Sequence, residues 1–284
     1  MTLWRWRIFG ITWLAYTGFY LTRKSFAIAK IDLARPDGMG FTDGQFATID
    51  LLYLVSYAAG QFVWGICGDR VGTRRVVLTG LILSVLSAVA MGASSLVVFL
   101  GIFFCIQGIA QSTGWGPLVK NMGNFFTRKE RGRVLGFWCT NYALGGVLAA
   151  LLAGWAADAH GWRFAFWIPA GVLLLIAALF FLFQANRPED VGLESLEADA
   201  SPEEKPGKGS WKVIGKTIRN PMVLLLGAVY FLIKPIRYLV MFWAPLYINQ
   251  RLGSGAAEAG ILGSMFDIAG PVSVILGGYL SDKV

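Results

Sequence analysis

The sequence predicts an all-α protein that crosses a membrane several times, and three observations carry this reading. Of its 284 residues, 56% are hydrophobic and 15% charged, whereas a soluble globular domain carries about 25% charged residues. Eight apolar runs, at roughly 8–29, 45–67, 76–94, 96–121, 134–157, 163–184, 222–247 and 258–280, approach the ~20 residues a helix needs to span the hydrocarbon core. Lys and Arg fall mostly on one set of alternate connections between these runs. The mean hydropathy of +0.58, the 35 Gly and the 14% aromatic residues suit closely packed helices with aromatic residues at the interfaces. They exclude a disordered, collagen-like or disulfide-framed chain.

The first run follows the basic stretch Met1 to Arg7. It is too long for a signal-peptide core and lacks a small-residue cleavage site, so it reads as an uncleaved helix. The second ends on a polar loop from Gly65 to Arg75, and the third and fourth are separated by the turn Gly92-Ala93-Ser94-Ser95. A basic loop over Arg128–Arg133 precedes the fifth, and a short polar break around His160 separates it from the sixth. Residues 185–220 form a long polar connection with seven acidic and six basic residues and Pro188, Pro202 and Pro206, which reads as a linker between two bundles. Its stretch Ser210–Arg219 sets Trp211, Ile214 and Ile218 on one helical face and is expected to lie on the inner membrane surface. The predicted organisation is a six-helix bundle over 1–184, the linker over 185–220 and the start of a second bundle, helices 7 and 8, over 221–284.

The net charge of +8 would suggest nucleic acid in a soluble protein, but its placement is topological. One side carries sixteen cations and the opposite side four, Lys30, Arg35, Arg163 and Arg251. That asymmetry places the N-terminus in the cytoplasm and predicts an inner (plasma) membrane protein, without any nucleic-acid partner. The remaining five, Arg23, Lys24, Lys120, Lys234 and Arg237, lie inside predicted helices. Cys67, Cys105 and Cys139 sit in apolar runs without metal-ligand spacing and read as packing residues. With His160 the single histidine, neither a His-based triad nor a multi-histidine metal site can be assembled. No cofactor or metal is expected, and the protein is predicted not to be an enzyme.

An internal repeat organises the rest. Gly65-Ile66-Cys67-Gly68-Asp69-Arg70 and Gly278-Tyr279-Leu280-Ser281-Asp282-Lys283 share the pattern G-x-x-x-D-[R/K], with their aspartates 213 residues apart. The intramembrane arginines Arg23 and Arg237 are 214 apart. Two unrelated features recurring at nearly one offset mark helices 7 and 8 as a second copy of helices 1 and 2. A repeat of six helices implies twelve in all, so the sequence is expected to be C-terminally incomplete.

The Gly65–Arg75 loop resembles the signature loop of the major facilitator superfamily. More narrowly, Phe19-Tyr20-Leu21-Thr22-Arg23-Lys24-Ser25-Phe26-Ala27, Gln111-Ser112-Thr113-Gly114-Trp115-Gly116-Pro117, and Lys129-Glu130-Arg131-Gly132 through Trp138 to Gly145-Gly146 are similar to the organophosphate:phosphate antiporters. That family includes glycerol-3-phosphate and hexose-6-phosphate transporters and their sensor relatives. Arg187-Pro188-Glu189-Asp190-Val191-Gly192-Leu193 and Arg237-Tyr238 through Trp243 to Pro245 extend the similarity to nearly the whole chain. The resemblance implies the major facilitator fold and a secondary transporter, a monomer in the lipid bilayer. It would exchange a sugar phosphate or glycerol phosphate for inorganic phosphate by alternating access. A hexose-phosphate sensor of the same fold, or a porter for another organic anion, are the competing readings.

An arginine at the centre of a transmembrane helix costs on the order of 2.5–3.5 kcal/mol on insertion scales, so Arg23 and Arg237 need a compensating role. Two guanidinium forks across the interface of the bundles suit a single phosphate, and the resemblance assigns these positions to phosphate binding. Lys234 lies one turn before Arg237 and is a candidate third cation. Lys24 points about 100° away from Arg23 around a helix of 3.6 residues per turn and reads as a supporting cation. Asp267, the embedded carboxylate, is expected to neutralise Arg237 or Lys234 until substrate displaces it, a charge switch. Tyr16, Tyr20, Tyr57, Trp138, Asn141 and Tyr142 are candidate cavity-lining residues. Gln61 stands where the antiporters of strongest resemblance have Lys, and Tyr142 where the glycerol-phosphate type has His, so the substrate is left open. The loop residues Gly65, Asp69, Arg70, Gly72, Arg74, Glu130 and Arg131, with Asp282 in the second copy, are expected to form a gating charge network.

Overall fold

The computed structural model describes residues 2–36, 38–194, 215, 217 and 219–281, and of 2, 66–70, 128, 129, 269 and 272–281 the backbone alone. The Ser210–Arg219 face, most of the linker, and Asp282 therefore lie outside the described residues or nearly so. The described residues form eleven α-helices and one short 3-10 turn, with no strand among them. In chain order they are α1 (Thr2–Arg23), α2 (Ser25–Leu33), α3 (Asp43–Val71), α4 (Thr73–Ala93), α5 (Val97–Gln111), α6 (Trp115–Phe125), α7 (Arg128–Trp138), α8 (Thr140–His160), α9 (Phe164–Phe183), α10 (Pro221–Leu252) and α11 (Ala256–Ser281). Among them, six stretches are long and apolar enough to cross a membrane: Asp43–Gly65, Thr73–Ala93, Val97–Phe125, Glu130–His160, Phe164–Phe183 and Pro221–Leu252.

Three of the apolar runs are broken, and the breaks position the polar residues. The first run divides at Lys24, the fourth at Ser112–Gly114 and the fifth at Cys139. At the second break, Ser112 Oγ donates to the Ile109 carbonyl at 2.6 Å and Thr113 Oγ1 to the Ala110 carbonyl at 2.7 Å. Such local bonds compete with the helical ladder and bend the chain. Broken helices at membrane depth survive only where protein or a water-filled cavity surrounds them, and each of these breaks is seated against α1 or its neighbours.

The ends are set by ordinary capping chemistry. Thr127 and Glu130 form a capping box at the start of α7. Asn220 accepts from Met222 N at 2.9 Å, with Pro221 at the first helical position of α10. Gly72 joins α3 to α4 at φ +89°, a left-handed conformation that a Cβ would strain. Asp158, near the end of α8, accepts from Ala256 N and Ala257 N at 2.9 Å each and so caps α11 from another part of the chain.

The core runs between α1, α3, α5, α8 and α9, with Phe19, Phe26, Tyr53, Phe104, Trp138, Phe166 and Phe180 fully buried. Outward faces carry Leu, Ile, Val and Phe, as lipid requires. Lys30 is a correction to the sidedness count. It was assigned to an outer loop, yet it is fully buried in α2, where it pairs with Asp50 of α3 at 2.6 Å. Lys120, counted inside the fourth run, lies on the exposed side of α6.

Candidate functional site

Arg23 ends α1 at the first break and is 1% exposed. Its Nε donates to Gln111 Oε1 at 2.8 Å, and its guanidinium stacks over Tyr20 at 4.5 Å and Tyr57 at 5.1 Å. Its Nη2 is buried with no hydrogen-bond partner among the described residues. Gln111 closes α5 at the second break, so two interrupted helices meet here. Half-helix ends of this kind supply ion-binding groups in transporters.

Lys24, the next residue, faces the other way. It is 2% exposed, and its Nζ donates to Ser264 Oγ at 2.9 Å and Asp267 Oδ2 at 3.0 Å, both on α11. The close passage of α8 allows this. A Cβ on Gly146 would lie 2.9 Å from Asp267 Oδ2 and 3.3 Å from Lys24 Nζ. Asp267 is shared, since its Oδ1 lies 3.6 Å from Arg237 Nη2, an ion pair beyond hydrogen-bond reach. Arg237 Nη2 is likewise buried without a hydrogen-bond partner among the described residues. Its guanidinium stacks over Tyr142 at 4.4 Å.

Tyr20 lies within electrostatic reach of both Arg23 and Arg237, and Lys234 within reach of the same two cations. Lys234 itself sits over Tyr230 at 5.5 Å. Lys24 and Arg237 thus share one carboxylate, Asp267, with Arg23 beside Lys24 in the chain. Gln61 lies half-buried on α3, one turn beyond Tyr57.

Trp138 is placed differently from its expected cavity lining. It is fully buried, donates Nε1 to Thr12 Oγ1 at 3.0 Å, and packs on Tyr16 and Trp115. It supports the helices behind Tyr16 and Tyr20 instead of facing open space. Asn141 is also fully buried, its carbonyl accepting from Thr17 Oγ1 at 3.3 Å.

The expected gating set is dispersed where it is described. Glu130 pairs with Arg5, Arg131 donates to the carbonyls of Gly123 and Phe126, and Arg74 donates to the Phe181 carbonyl. Gly65 lies within α3 and Gly72 at the turn after it. The side chains of Asp69 and Arg70, and all of Asp282, lie outside the described residues.

Sequence reasoning missed Gln111 as a partner of Arg23, Ser264 as a partner of Lys24, and the Lys30–Asp50 pair. Asp50, a carboxylate inside an apolar run, was the available signal for the last, because a buried carboxylate needs a cation. Gln111 stood in a motif and carried no charge to mark it.

Comparison with known proteins adds a family match, two similar relatives and one similar solved structure. A family profile described as Major Facilitator Superfamily matches residues 9–284. The "Probable hexose phosphate transport protein" of Chlamydia muridarum is 30% identical over 298 residues, which take in 99% of this chain and 65% of that protein. The "Glucose-6-phosphate exchanger SLC37A2" of Danio rerio is 26% identical, over 98% of this chain and 67% of its own length. A solved structure of a bacterial homolog to the human lysosomal transporter Spinster, titled as inward-facing and unoccupied, superposes with a TM-score of 0.77 at 19% identity. It covers 99% of this chain and 63% of that one, and at that identity it speaks for the fold alone. The chain spans about 65% of the length of the first curated relatives it matches.

Proposed function

The chain belongs to the major facilitator superfamily, and from that premise we propose that the whole protein is a secondary transporter exchanging an organophosphate for inorganic phosphate. The observation that carries this reading is the pair of buried Nη2 groups, on Arg23 and Arg237, that lack hydrogen-bond partners among the described residues. A buried donor left unmade is costly, and a phosphoryl group supplies what both lack, acceptor oxygens and a charge near −2. The relatives named for hexose phosphate and glucose-6-phosphate support a sugar phosphate as the organic partner.

Arg23 and Arg237 receive the phosphoryl group, and Lys234 adds a third positive charge. Tyr20, Tyr57 and Tyr142 flank the two guanidinium planes, while Gln61 offers a neutral amide to sugar hydroxyls. Asp267 is the switch. Without substrate it divides its charge between Lys24 on the first broken helix and Arg237 on α10. Substrate phosphate competes for Arg237, Asp267 then settles on Lys24, and the packing of α11 against α2 and α8 shifts. Exchange follows because either phosphate resets the same pair, and the bundles rock around it in alternating access. The N-terminus lies in the cytoplasm, the membrane is the inner one, residues 1–184, 185–220 and 221–284 form bundle, linker and second bundle, and the transporter works as a monomer without catalytic chemistry.

Reconstituting the full-length protein in liposomes loaded with phosphate tests the reading. Arg23→Lys or Arg237→Lys, each inserted normally, is expected to abolish exchange of external glucose 6-phosphate for internal phosphate. Exchange retained at the wild-type rate would overturn it, and inhibition by dicarboxylates but not phosphate would favour an organic-anion porter.

A further inference from the structure

Gln111 is fully buried and every polar atom of its amide is used. Oε1 accepts from Arg23 Nε at 2.8 Å and from Tyr53 OH at 2.8 Å, while Nε2 donates to Thr22 Oγ1 at 3.1 Å. Three partners fix the orientation of the amide. A flip would set an amide N–H against the Arg23 Nε–H, which can only donate.

A guanidinium offers an anion two bidentate edges, one using Nε with a neighbouring Nη and the other using both Nη groups. With Nε engaged by Gln111, the first edge of Arg23 is closed. The end-on fork remains, and it holds the partnerless Nη2. The holder is an amide, so it directs the arginine without cancelling its charge. A carboxylate here would form a fork-to-fork ion pair and compete with the ligand. Tyr20 and Tyr57, stacked on the plane, restrict the remaining rotation.

We infer that Gln111 is a positioning residue that turns Arg23 so its two Nη groups meet the substrate phosphoryl group end-on while its positive charge stays available. This rests on the phosphate reading of the site given above. Tyr53 and Thr22 complete the device, since each bonds the Gln111 amide.

Titration calorimetry of the purified full-length protein with inorganic phosphate tests it. Gln111→Ala is expected to weaken phosphate binding about tenfold, the worth of a charge-assisted hydrogen bond lost from the aligned arginine. Gln111→Glu, nearly the same shape, is expected to weaken it by about a hundredfold by neutralising Arg23, and it keeps the test readable where the alanine variant folds poorly. The readout that separates positioning from mere structure is a double variant. In an Arg23→Lys background, where no Nε–H remains, adding Gln111→Ala is expected to change phosphate affinity no further. Wild-type affinity in Gln111→Glu, or full additivity in the Arg23→Lys background, would overturn the inference. Failure of the wild-type protein to bind phosphate would instead remove the reading of the site on which it rests.

Discussion

Lys30 and Asp50 are expected to be close to neutral for stability as a pair, and loss of either one alone is expected to destabilise the fold. Lys30 has no exposed side-chain surface and Asp50 has 7%. The ammonium donates to Asp50 Oδ2 at 2.6 Å and to the Phe242 carbonyl at 3.2 Å, inside a ring of Phe26, Phe46, Phe242 and Trp243 at 4.6 to 5.8 Å. Lys30→Met keeps most of the stem but leaves a buried carboxylate without its cation, a loss on the order of 3–5 kcal/mol. Asp50→Asn leaves the cation, still held by a carbonyl and by aromatic faces worth about 0.5–2 kcal/mol each, so its loss is the smaller of the two. Replacing both, as Lys30→Met with Asp50→Leu, removes both desolvation costs and is expected to restore stability to near that of the native protein. Thermal unfolding in detergent, followed by tryptophan fluorescence, reads the order: Lys30→Met lowest, Asp50→Asn between, the double variant close to wild type. A Lys30→Met protein melting with the wild type, or a double variant below both singles, would refute the reasoning.

Other consequences follow from the contacts of α11. Asp267→Asn frees Lys24 and Arg237 together, so phosphate binding by calorimetry is expected to tighten by up to about tenfold while exchange in liposomes slows, because the switch has lost its charge. Asp158→Ala removes the cap on Ala256 and Ala257 and is expected to cost about 0.5–2 kcal/mol, measured as a lower melting temperature. Gly154→Val places a Cβ 2.8 Å from Ala257 N, a backbone clash that side-chain motion cannot relieve. Overpacking of about 1–3 kcal/mol or more is expected, and faster cysteine labelling of a probe at Ala257 would report the parting of α8 from α11.

Much of the helical order was legible because membrane helices announce themselves by length and apolarity. The turn at Gly92–Ser95 stands where the sequence puts it, with α4 ending at Ala93 and α5 beginning at Val97. What escaped was interior polarity. Lys30 lies next to a polar stretch and was therefore assigned to a loop, because a count along one chain cannot see that α3 brings Asp50 and α10 brings a carbonyl to meet it. Trp138 was assigned to the cavity by residue type, yet its indole N–H finds Thr12 behind the first helix. Gln111 was invisible for the opposite reason, being neutral in an apolar run, where an amide draws notice only once its partners are known. The breaks at Lys24 and Ser112–Gly114 also hide inside apolar runs, since hydropathy is blind to a local turn that keeps the same composition.

The two buried ionic clusters obey different arithmetic, and the difference locates function. Around Lys30 one cation meets one carboxylate, a carbonyl and aromatic faces, and the charges cancel. Such a cluster is neutral within itself, with Asp50 Oδ1 the atom left buried without a hydrogen-bond partner among the described residues. Around Asp267 two cations, Lys24 and Arg237, share one carboxylate, Arg23 adjoins Lys24 in the chain, Lys234 lies within electrostatic reach of Arg237, and Gln111 holds Arg23 without contributing charge. Positive charge held in the interior, as on Arg23 and Lys24 at 1% and 2% exposure, is expensive, and folding alone gives no reason to keep a surplus of it. On the transport reading proposed above, a dianionic ligand removes most of that cost on binding and restores it on leaving. Occupancy then governs the energy of the contacts between α1–α2 and α11, which is what a device that must move only when loaded requires.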